Sequence, residues 1–286
     1  MRAFLPDYQL RKAATLDEAV GLLASEPGVW RALAGGTDVM VQLGAGTLSN
    51  RQHVSIWGIR ELRRIDVDRE AVTLGALTTF SDILRHETLR RDFPLLGRAA
   101  ADTGGIANQN RGTIAGNIAN ASPAADTPPP LLVYDAQLEL TSVRGRRIVP
   151  YERFHTAYKQ MDLAPDELIT AVRLPRRHGW HQHYRKVGAR RAQAISKVCF
   201  AGAALLEAGR IADIRLAFGS VAPTVVRAFD TEAMLRGARV DDGSVDRAGA
   251  ALLAELRPID DVRSTAAYRR QVAVNVLAEF LQSLSR

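Results

Sequence analysis

Residues 112–126 read Gly-Thr-Ile-Ala-Gly-Asn-Ile-Ala-Asn-Ala-Ser-Pro-Ala-Ala-Asp, and this stretch indicates the fold more strongly than any other part of the chain. Small residues, amides and hydroxyls fill it, and two isoleucines are its large apolar anchors. Backbone N–H and C=O groups that small side chains leave uncovered must find hydrogen-bond partners. A large polar ligand would supply those partners. A buried structural loop held by its asparagine side chains is the alternative.

A second glycine-rich stretch lies upstream, where Ala34-Gly35-Gly36-Thr37-Asp38 follows a predicted short strand at residues 29–33. Glycines allow positive φ angles and let bare backbone N–H groups converge on an anion. The Thr37 hydroxyl adds a further donor. The stretch therefore suits a pyrophosphate, although an ordinary tight turn would use the same residues.

Neither stretch follows the common nucleotide-binding motifs. The chain has no Gly-x-Gly-x-x-Gly that opens a helix after a strand and no Gly-Lys-Ser/Thr of a P-loop. These absences disfavour an NAD-dependent dehydrogenase of the common kind and an NTPase.

The single cysteine, Cys199, limits the cofactors that the chain can hold. One thiol cannot build a disulfide framework, and an iron–sulfur cluster needs about four thiolates. Cys199 lies within an apolar run, which indicates a buried small hydrophobe. Any iron–sulfur cluster is therefore expected on another chain.

Charge and hydropathy patterns narrow the classes of partner. The formal net charge is +7, but the arginines are scattered in pairs without interleaved aromatic residues, so we predict no nucleic-acid binding. A docking surface for acidic partner subunits or phosphate groups explains the charge equally well. Residues 1–7 carry no signal-peptide pattern and no run of about 18 apolar residues follows, so we expect a cytoplasmic protein without a membrane span.

Local patterns predict the order of helices and strands. Thr15 and Glu18 form a capping box, Thr79 or Ser81 caps a later helix, and a helix follows Thr127 despite three prolines. We expect one helix over residues 89–101, a long loop over 103–126, and hairpins at 62–77 and 137–149. Residues 176–180 are the candidate domain boundary. The strands and helices beyond them predict an α+β C-terminal domain.

Three histidines near this boundary, His178, His181 and His183, are a tempting metal site. Zinc sites on helices use ligand pairs at spacings such as i, i+4, with a clear third ligand and a second shell. These histidines lie at the boundary beside prolines and arginines and do not match that pattern, so we interpret them as a solvated linker and predict no metal site. No Ser-His-Asp or Cys-His arrangement can be defended from spacing, and no catalytic side chain is predicted.

The two glycine-rich stretches together resemble the flavin subunit of the xanthine dehydrogenase and carbon monoxide dehydrogenase family. Tyr184-Arg185-Lys186-Val187-Gly188 and residues 190–198 (Arg-Arg-Ala-Gln-Ala-Ile-Ser-Lys-Val) also match, in order and at family spacing. The resemblance implies an α+β fold with a bipartite PCMH-type FAD-binding domain over residues 1–176, divided at about residue 57 into subdomains 1–57 and 58–176. A smaller C-terminal domain of the carbon monoxide dehydrogenase flavoprotein type would cover residues 177–286.

The resemblance also implies which residues contact FAD between the two subdomains. Residues 34–39 would surround the pyrophosphate, and residues 112–120 would line the phosphate and ribityl portions. The Asp126 carboxylate would accept a hydrogen bond from a ribityl hydroxyl. Ile169 and Lys186 match positions near the isoalloxazine ring and Tyr184 would stack close to it, although an ordinary solvated lysine is the alternative for Lys186. The full expected set is Leu33, Ala34, Gly35, Gly36, Thr37, Asp38, Val39, Thr103, Gly104, Asn108, Gly112, Thr113, Gly116, Asn117, Ala119, Asn120, Asp126, Ile169, Tyr184 and Lys186.

The sequence departs from the family pattern in two places. Residues 104–110 replace the usual Gly-Ser-x-Gln-Ile-Arg-Asn, and Ala115 replaces the first glycine of the usual Gly-Gly-Asn. Both changes keep the segment small and polar, so we expect FAD binding to persist. The residues that cover the ring are expected to differ from those of the family, so the resemblance does not fix the electron acceptor.

By resemblance, the other redox centres lie on partner subunits. A large subunit with a molybdenum pterin cofactor oxidises the substrate, and a small subunit with two 2Fe–2S clusters relays electrons to FAD on this chain. NAD, oxygen, a quinone or another external acceptor then receives them. The implied assembly is a heterotrimer, often doubled, acting on a purine, an N-heterocycle or a similar substrate. A free-standing flavin oxidase of the vanillyl-alcohol type and a flavin-free scaffold are the alternatives.

Overall fold

The computed structural model describes residues 7–190 and 193–285. Residues 1–6, which entered the expectation of a cytoplasmic protein, lie outside that range. So do Arg191 and Ala192 of the family-like segment. Within the described ranges, no helix combines the length and apolarity that crossing a bilayer requires.

The first part of the chain forms a three-stranded parallel sheet with one helix packed on it. Its elements are β1 (Gln9–Lys12), α1 (Leu16–Ser25), β2 (Trp30–Leu33), α2 (Thr37–Gly44) and β3 (Gln52–Ser55). Strand β3 lies in the centre and pairs with β1 and β2. Thr15 caps α1 as predicted, accepting from the Glu18 N–H, but the Glu18 carboxylate accepts from the Ala14 N–H rather than from that of Thr15.

The middle part is built on a five-stranded antiparallel sheet in the order β4-β5-β10-β6-β7. Its elements are β4 (Ile65–Val67), β5 (Ala71–Gly75), α3 (Phe80–Arg85), α4 (Glu87–Asp92), α5 (Pro94–Asp102), α6 (Ile106–Gln109), α7 (Ile114–Ala119), α8 (Pro128–Val133), β6 (Gln137–Ser142), β7 (Gly145–Pro150), β8 (His155–Ala157), β9 (Gln160–Met161) and β10 (Leu168–Pro175). Both predicted hairpins are present, and β10 joins them at the centre.

Two predictions for this part were wrong. The single helix expected over residues 89–101 is two helices, because Pro94 has no N–H to donate and its ring disfavours helical backbone at Phe93, where φ is −129° and ψ is 53°. The expected loop over 103–126 contains α6 and α7. The hydroxyl of Thr113 caps α7 by accepting from the Gly116 N–H, a local signal that the prediction overlooked.

The C-terminal part is an antiparallel sheet in the order β11-β12-β13-β14 with helices on one face, which confirms the predicted α+β class. Its elements are β11 (His181–Val187), β12 (Val198–Glu207), β13 (Arg210–Gly219), β14 (Val226–Arg227), α9 (Phe229–Leu235), α10 (Asp242–Glu255) and α11 (Ala266–Ser283). The interpretation of the histidines as a linker was wrong for His181 and His183. Both lie in β11, and His183 faces Phe200 and Phe280.

The C-terminal sheet is buried on both faces, which joins it to the rest of the molecule. Along β12, Cys199, Ala201 and Ala203 belong to the core shared with the first two parts, whereas Val198, Phe200 and Ala204 face the core under α9–α11. A strand covered on both faces has no solvent side, so its sequence is a continuous apolar run. Cys199 is fully buried as predicted, and burial raises the pKa of its thiol.

A cluster of charged side chains also joins the middle and C-terminal parts. The Asp135 carboxylate accepts from Arg177 at 2.6 Å and from Arg227 at 2.5 Å, and it also contacts Arg215. Asp135 has a φ of 50°, a left-handed conformation. One carboxylate therefore contacts three guanidinium groups, two of which also pair with Asp213 and Glu232.

We expect Asp135→Asn to lower the free energy of unfolding by about 2–4 kcal/mol, because three arginines would lose the negative charge that they share. Asparagine tolerates a left-handed conformation, so the backbone is preserved. Urea unfolding measures the effect. In the control Asp66→Asn, whose partner Arg64 is exposed, we expect a change below about 1 kcal/mol. Equal losses in both variants would contradict a role for Asp135.

Candidate functional site

The first glycine-rich stretch connects β2 to α2. Gly36 has a φ of 79° and occupies the N-cap position of α2, where no side chain accepts from the helix. The first N–H groups of a helix have no partner within the helix, and the helix dipole places positive charge beside them. This end of α2 therefore offers backbone donors to an anion.

The second stretch is anchored by backbone hydrogen bonds to the start of α3. The Gly112 carbonyl accepts from the Phe80 N–H at 3.1 Å, and the Ile114 N–H donates to the Thr78 carbonyl at 2.9 Å. Thr79 and Thr113 form a β-bridge between these bonds. Thr79, one of the two predicted candidates, is also the N-cap of α3, whereas Ser81 lies within the helix. The anchored segment places the start of α7 at a fixed position.

The two stretches meet in space. A Cβ atom added to Gly35 would lie 1.7 Å from the carbonyl oxygen of Arg111 and 3.3 Å from the backbone nitrogen of Gly112. The Arg111 Nε donates to the Gly35 carbonyl at 3.3 Å. Only glycine fits at position 35, because backbone packs directly against backbone. The result is a cradle of small residues beside the start of α2, whose first N–H groups suit a pyrophosphate, whereas the N–H groups of Gly112, Ile114 and Gly116 already donate within the chain.

Lys159 reaches this cradle from the β8–β9 turn, and the sequence analysis missed it. Its Nζ donates to the Asn120 carbonyl and to Asn120 Oδ1, the latter at 2.7 Å. Partial desolvation lowers the pKa of Lys159, while the negative charge of Asp38 opposes that shift. Lys159 therefore connects the end of the second stretch with the first. No local pattern marks it, since the turn lies 39 residues from Asn120.

Arg111 is a second basic residue that the sequence analysis missed. Its guanidinium lies 3.8 Å from the centroid of the Trp57 ring, and the Arg63 guanidinium lies 4.1 Å from the same centroid. Cation–π contacts of this kind hold an arginine in place. They place the positive charge of Arg111 beside Gly35.

Asp126 and Lys186 form a buried ion pair where β11 meets the end of the second stretch. The Lys186 Nζ donates to Asp126 Oδ2 at 2.6 Å and to the Asp102 carbonyl at 2.9 Å, while the Ser196 hydroxyl donates to Asp126 Oδ1 at 2.6 Å. Both charged side chains are 9% exposed, so the interpretation of Lys186 as a solvated lysine is wrong. Burial raises the pKa of Asp126, and the nearby ammonium of Lys186 opposes the shift only in part.

Tyr184 and Ile169, expected near the isoalloxazine ring, are both buried in the shared core. Ile169 lies on β10 and is 3% exposed. The Tyr184 hydroxyl lies 3.5 Å from the Cys199 sulfur, and burial raises its pKa well above the ordinary value. Their contact with the ring stays a prediction.

The remaining residues of the expected FAD-binding set lie beside the second stretch, within it, or at the ends of the first stretch. The Asn108 carbonyl accepts from the Gly112 N–H at 2.6 Å. Gly104 lies beside the Asn108 side chain and has a φ of 62°. The Thr103 hydroxyl donates to the Ala99 carbonyl. Asn117 Oδ1 accepts from the Thr127 hydroxyl at 2.6 Å. Leu33 and Val39 are half-buried at the two ends of the first stretch, and Ala119 is exposed at the end of α7.

Two family models cover most of the chain. Residues 6–177 match the FAD binding domain in molybdopterin dehydrogenase, and residues 182–284 match the CO dehydrogenase flavoprotein C-terminal domain. The first match alone spans more than half of the chain.

Individual relatives and a solved structure agree with these matches. The putative xanthine dehydrogenase FAD-binding subunit of Escherichia coli (strain K12) is 34% identical over 262 residues, covering 90% of this chain and 89% of the relative. The glyceraldehyde dehydrogenase medium chain of Sulfolobus acidocaldarius is 32% identical, covering 93% and 94%. The structure of carbon monoxide dehydrogenase from Hydrogenophaga pseudoflava, which lacks the Mo-pyranopterin moiety, contains a chain that superimposes with a TM-score of 0.94 at 28% identity, covering 98% and 97%.

These matches confirm the family and the fold that the two glycine-rich stretches predicted. The chain belongs to the FAD-binding medium subunits of the xanthine dehydrogenase- and carbon monoxide dehydrogenase-like molybdenum hydroxylases, a family of oxidoreductases.

Proposed function

We propose that this chain holds FAD as the point where electrons leave a heteromeric molybdenum hydroxylase. The observation that carries the proposal is the contact of Gly35 with Arg111, which builds one cradle from two stretches of small residues at the start of α2. A pyrophosphate is the group that matches such a cradle, because it accepts hydrogen bonds from several N–H groups at once. FAD, when bound, would supply the redox chemistry that takes electrons from 2Fe–2S clusters and delivers them to an external acceptor.

The chain's own residues would bind the cofactor and tune it. Residues 34–39 would hold the pyrophosphate, with Leu33, Thr103, Gly104 and Asn108 beside them. The second stretch, from Gly112 to Asn120, would line the phosphate and ribityl portions. The amide oxygen of Asn117 and both carboxylate oxygens of Asp126 already accept hydrogen bonds within the chain, so these residues would contribute mainly by fixing their neighbours.

Lys186 would act on the ring system through its charge. A cation near a flavin stabilises the negative charge that accumulates on reduction, and the effect is larger where water is excluded. The Asp126 carboxylate and the Asp102 carbonyl hold the Lys186 ammonium in one position. We propose Ile169 and Tyr184 as the apolar boundary of the ring.

The partners follow from the same proposal. A large subunit with the molybdenum pterin cofactor would oxidise the substrate, and a small subunit with two 2Fe–2S clusters would supply electrons to this chain in a cytoplasmic assembly, a heterotrimer that is often doubled. NAD, oxygen or a quinone would accept the electrons. Among substrates we favour purines and N-heterocycles, and the relatives described above are named for oxidation of xanthine, an aldehyde and carbon monoxide. We also propose the division into residues 1–176, with subdomains 1–57 and 58–176, and residues 177–286.

An absorption spectrum of the purified chain tests the proposal. We expect flavin bands, release of FAD on denaturation at about one per chain, and no iron, because Cys199 is the only cysteine. A chain that stays colourless after incubation with FAD would instead favour a scaffold that only docks partners. A matching spectrum in the co-purified complex, with iron and molybdenum on the partners, would complete the test.

Lys159→Met should weaken FAD binding about tenfold, because the variant loses a cation beside the cradle and two hydrogen bonds that hold Asn120. Equilibrium titration of the FAD-free protein with FAD measures the change. Arg239→Met is the control, since Arg239 is an exposed basic residue between α9 and α10 in the C-terminal part. FAD affinities that agree between the two variants would remove Lys159 from the binding site.

A further inference from the structure

A cavity of about 300 Å³ opens at the junction between the middle part of the chain and β11. Three arginines line it, Arg91, Arg176 and Arg177, together with one carboxylate, Asp92. Trp180, which immediately precedes β11, and Gln182, which lies in β11, also line the cavity. None of these residues belongs to the FAD-binding set proposed above.

Positive charge exceeds negative charge in this wall. The Asp92 carboxylate is 3% exposed, and it accepts from Arg91 Nε at 2.7 Å and lies 2.9 Å from Arg176 Nη2. One carboxylate in the wall thus pairs with two guanidiniums, and the carboxylates of Glu87 and Asp68, which do not line the cavity, add negative charge near Arg91 and Arg176. Arg176 also donates to the Asp68 carbonyl at 2.8 Å, so it is fixed in place. Arg91 is 62% exposed and can turn toward a ligand.

Arg177 adds to this excess from the other side of the cavity. Its Nη2 donates to Asp135 Oδ2 at 2.6 Å, and the same oxygen contacts Arg215. Within the described ranges, Arg177 Nε is buried without a hydrogen-bond acceptor. A buried donor without a partner costs free energy that an anionic ligand on the same guanidinium would offset in part. Arg177 is therefore short of negative partners.

The Gln182 side chain in this wall is oriented as a hydrogen-bond donor. The Tyr134 hydroxyl accepts from the Leu95 N–H at 3.0 Å, so its own proton goes to Gln182 Oε1, 2.6 Å away. This bond fixes the Gln182 amide with its oxygen occupied, and the amide nitrogen remains to donate. The wall therefore offers N–H donors from arginine and glutamine, whereas its one carboxylate is already paired.

Trp180 gives the cavity a planar apolar surface. Its ring has Arg177 at 5.7 Å and Arg215 at 5.5 Å from the ring centroid, so two cations hold the indole in place. A volume of about 300 Å³ is the lower end of the range for small-molecule sites and exceeds what a bare phosphate fills. An aromatic ring linked to an anion matches both features.

We propose that this cavity binds a phosphorylated small molecule of nucleotide size, with the phosphoryl group against Arg91 and Arg177 and the planar ring against Trp180. Arginine pairs with phosphoryl oxygens through two parallel N–H donors, which accounts for the choice of anion. The bound molecule would contact both α4 and the segment leading into β11. It would therefore link the FAD-binding part of the chain to the C-terminal sheet.

Calorimetric titration of the full chain loaded with one FAD, from which unbound FAD has been removed, tests this site, because the occupied flavin cradle excludes the probes. The probes are AMP, inorganic phosphate and adenosine in low-salt buffer. We expect AMP to bind one site per chain with a Kd of about 0.1 mM, phosphate to bind at least about tenfold more weakly, and adenosine to give no saturable heat. Added salt should weaken AMP binding.

Variants place the binding at the cavity. Arg91→Gln should weaken AMP binding about tenfold. Its matched control Arg64→Gln should leave it unchanged, since Arg64 is 66% exposed and also pairs with a nearby aspartate. Trp180→Leu should weaken AMP binding but not phosphate binding. Equal AMP affinities in Arg91→Gln and the unmodified chain, or no saturable heat up to about 10 mM AMP, would overturn the proposal. Phosphate binding as tight as AMP binding would overturn the nucleotide-sized ligand.

Discussion

Gly35→Ala is expected to abolish FAD binding, leaving less than about 0.1 FAD per chain. The added Cβ would lie 1.7 Å from the Arg111 carbonyl oxygen, a distance at which the two stretches must separate by more than an ångström. Neither neighbour can move cheaply, because both are backbone and the segment after Arg111 is bonded to α3 through Gly112. Overpacking of this kind also costs about 1–3 kcal/mol of stability. Acid release of flavin measures the FAD content of the purified variant, and urea unfolding measures its free energy of unfolding.

Two further glycine variants separate loss of the site from loss of the fold. Gly44 lies at the end of α2, and no atom lies within 4 Å of a Cβ added there. We therefore expect Gly44→Ala to keep full FAD content and to be slightly more stable. Gly36→Asn keeps the left-handed backbone that asparagine tolerates, and no severe clash arises there, so we expect a folded chain with partial FAD content. A Gly35→Ala chain that carries about one FAD would refute the cradle.

Lys186→Met is expected to lower the free energy of unfolding by about 3–5 kcal/mol near pH 8, because it leaves the Asp126 carboxylate buried without a cation. Burial already raises the pKa of Asp126, and loss of the ammonium raises it further. A carboxyl group with a raised pKa in the folded state favours folding only while it is protonated, so stability falls as pH rises through the folded pKa. The destabilisation should therefore be smaller at pH 5 than at pH 8.

The double variant Lys186→Met/Asp126→Asn tests this reason directly. It removes both charges, so we expect it to recover all but about 1 kcal/mol of the loss, and the remaining loss relative to the unmodified chain should differ little between pH 5 and pH 8. The FAD reduction potential should shift to more negative values in Lys186→Met at pH 8, because the cation is lost while the Asp126 carboxylate stays, and it should shift much less in the double variant, where both charges are gone. An unchanged potential would assign the pair a structural role only. Destabilisation of Lys186→Met that is equal at pH 5 and pH 8 would show that Asp126 does not stay buried and charged.

Much of the local structure could be predicted from the sequence because its causes are local. Thr15 and Thr79 cap their helices as expected, and both hairpins of the middle sheet form. The helix over residues 89–101 was predicted wrongly although Pro94 marked the break. The long polar segment was predicted as a loop because its composition hid the cap at Thr113.

The residues of the binding site also divide into those that the sequence marks and those that it does not. Gly35 and Gly112 stand out in the sequence because runs of small residues are rare, and the family pattern adds Asp126 and Lys186. Lys159 and Arg111 carry no such mark. Each acts on a segment distant in the chain, Lys159 across 39 residues and Arg111 across 76, and nothing in the local sequence specifies the partner.

The sequence by itself determined the two glycine-rich stretches, the single cysteine within an apolar run, the caps at Thr15 and Thr79 and the two hairpins of the middle sheet, since small-residue runs, capping residues and alternation are local features. Only the tertiary structure decided that Gly35 packs against Arg111, that Lys186 is buried on Asp126, and that Asp135 faces three arginines. These arrangements arise where distant segments meet, and the free energy of such a contact depends on the distance, burial and charge of both partners. Those quantities exist only once the chain has folded.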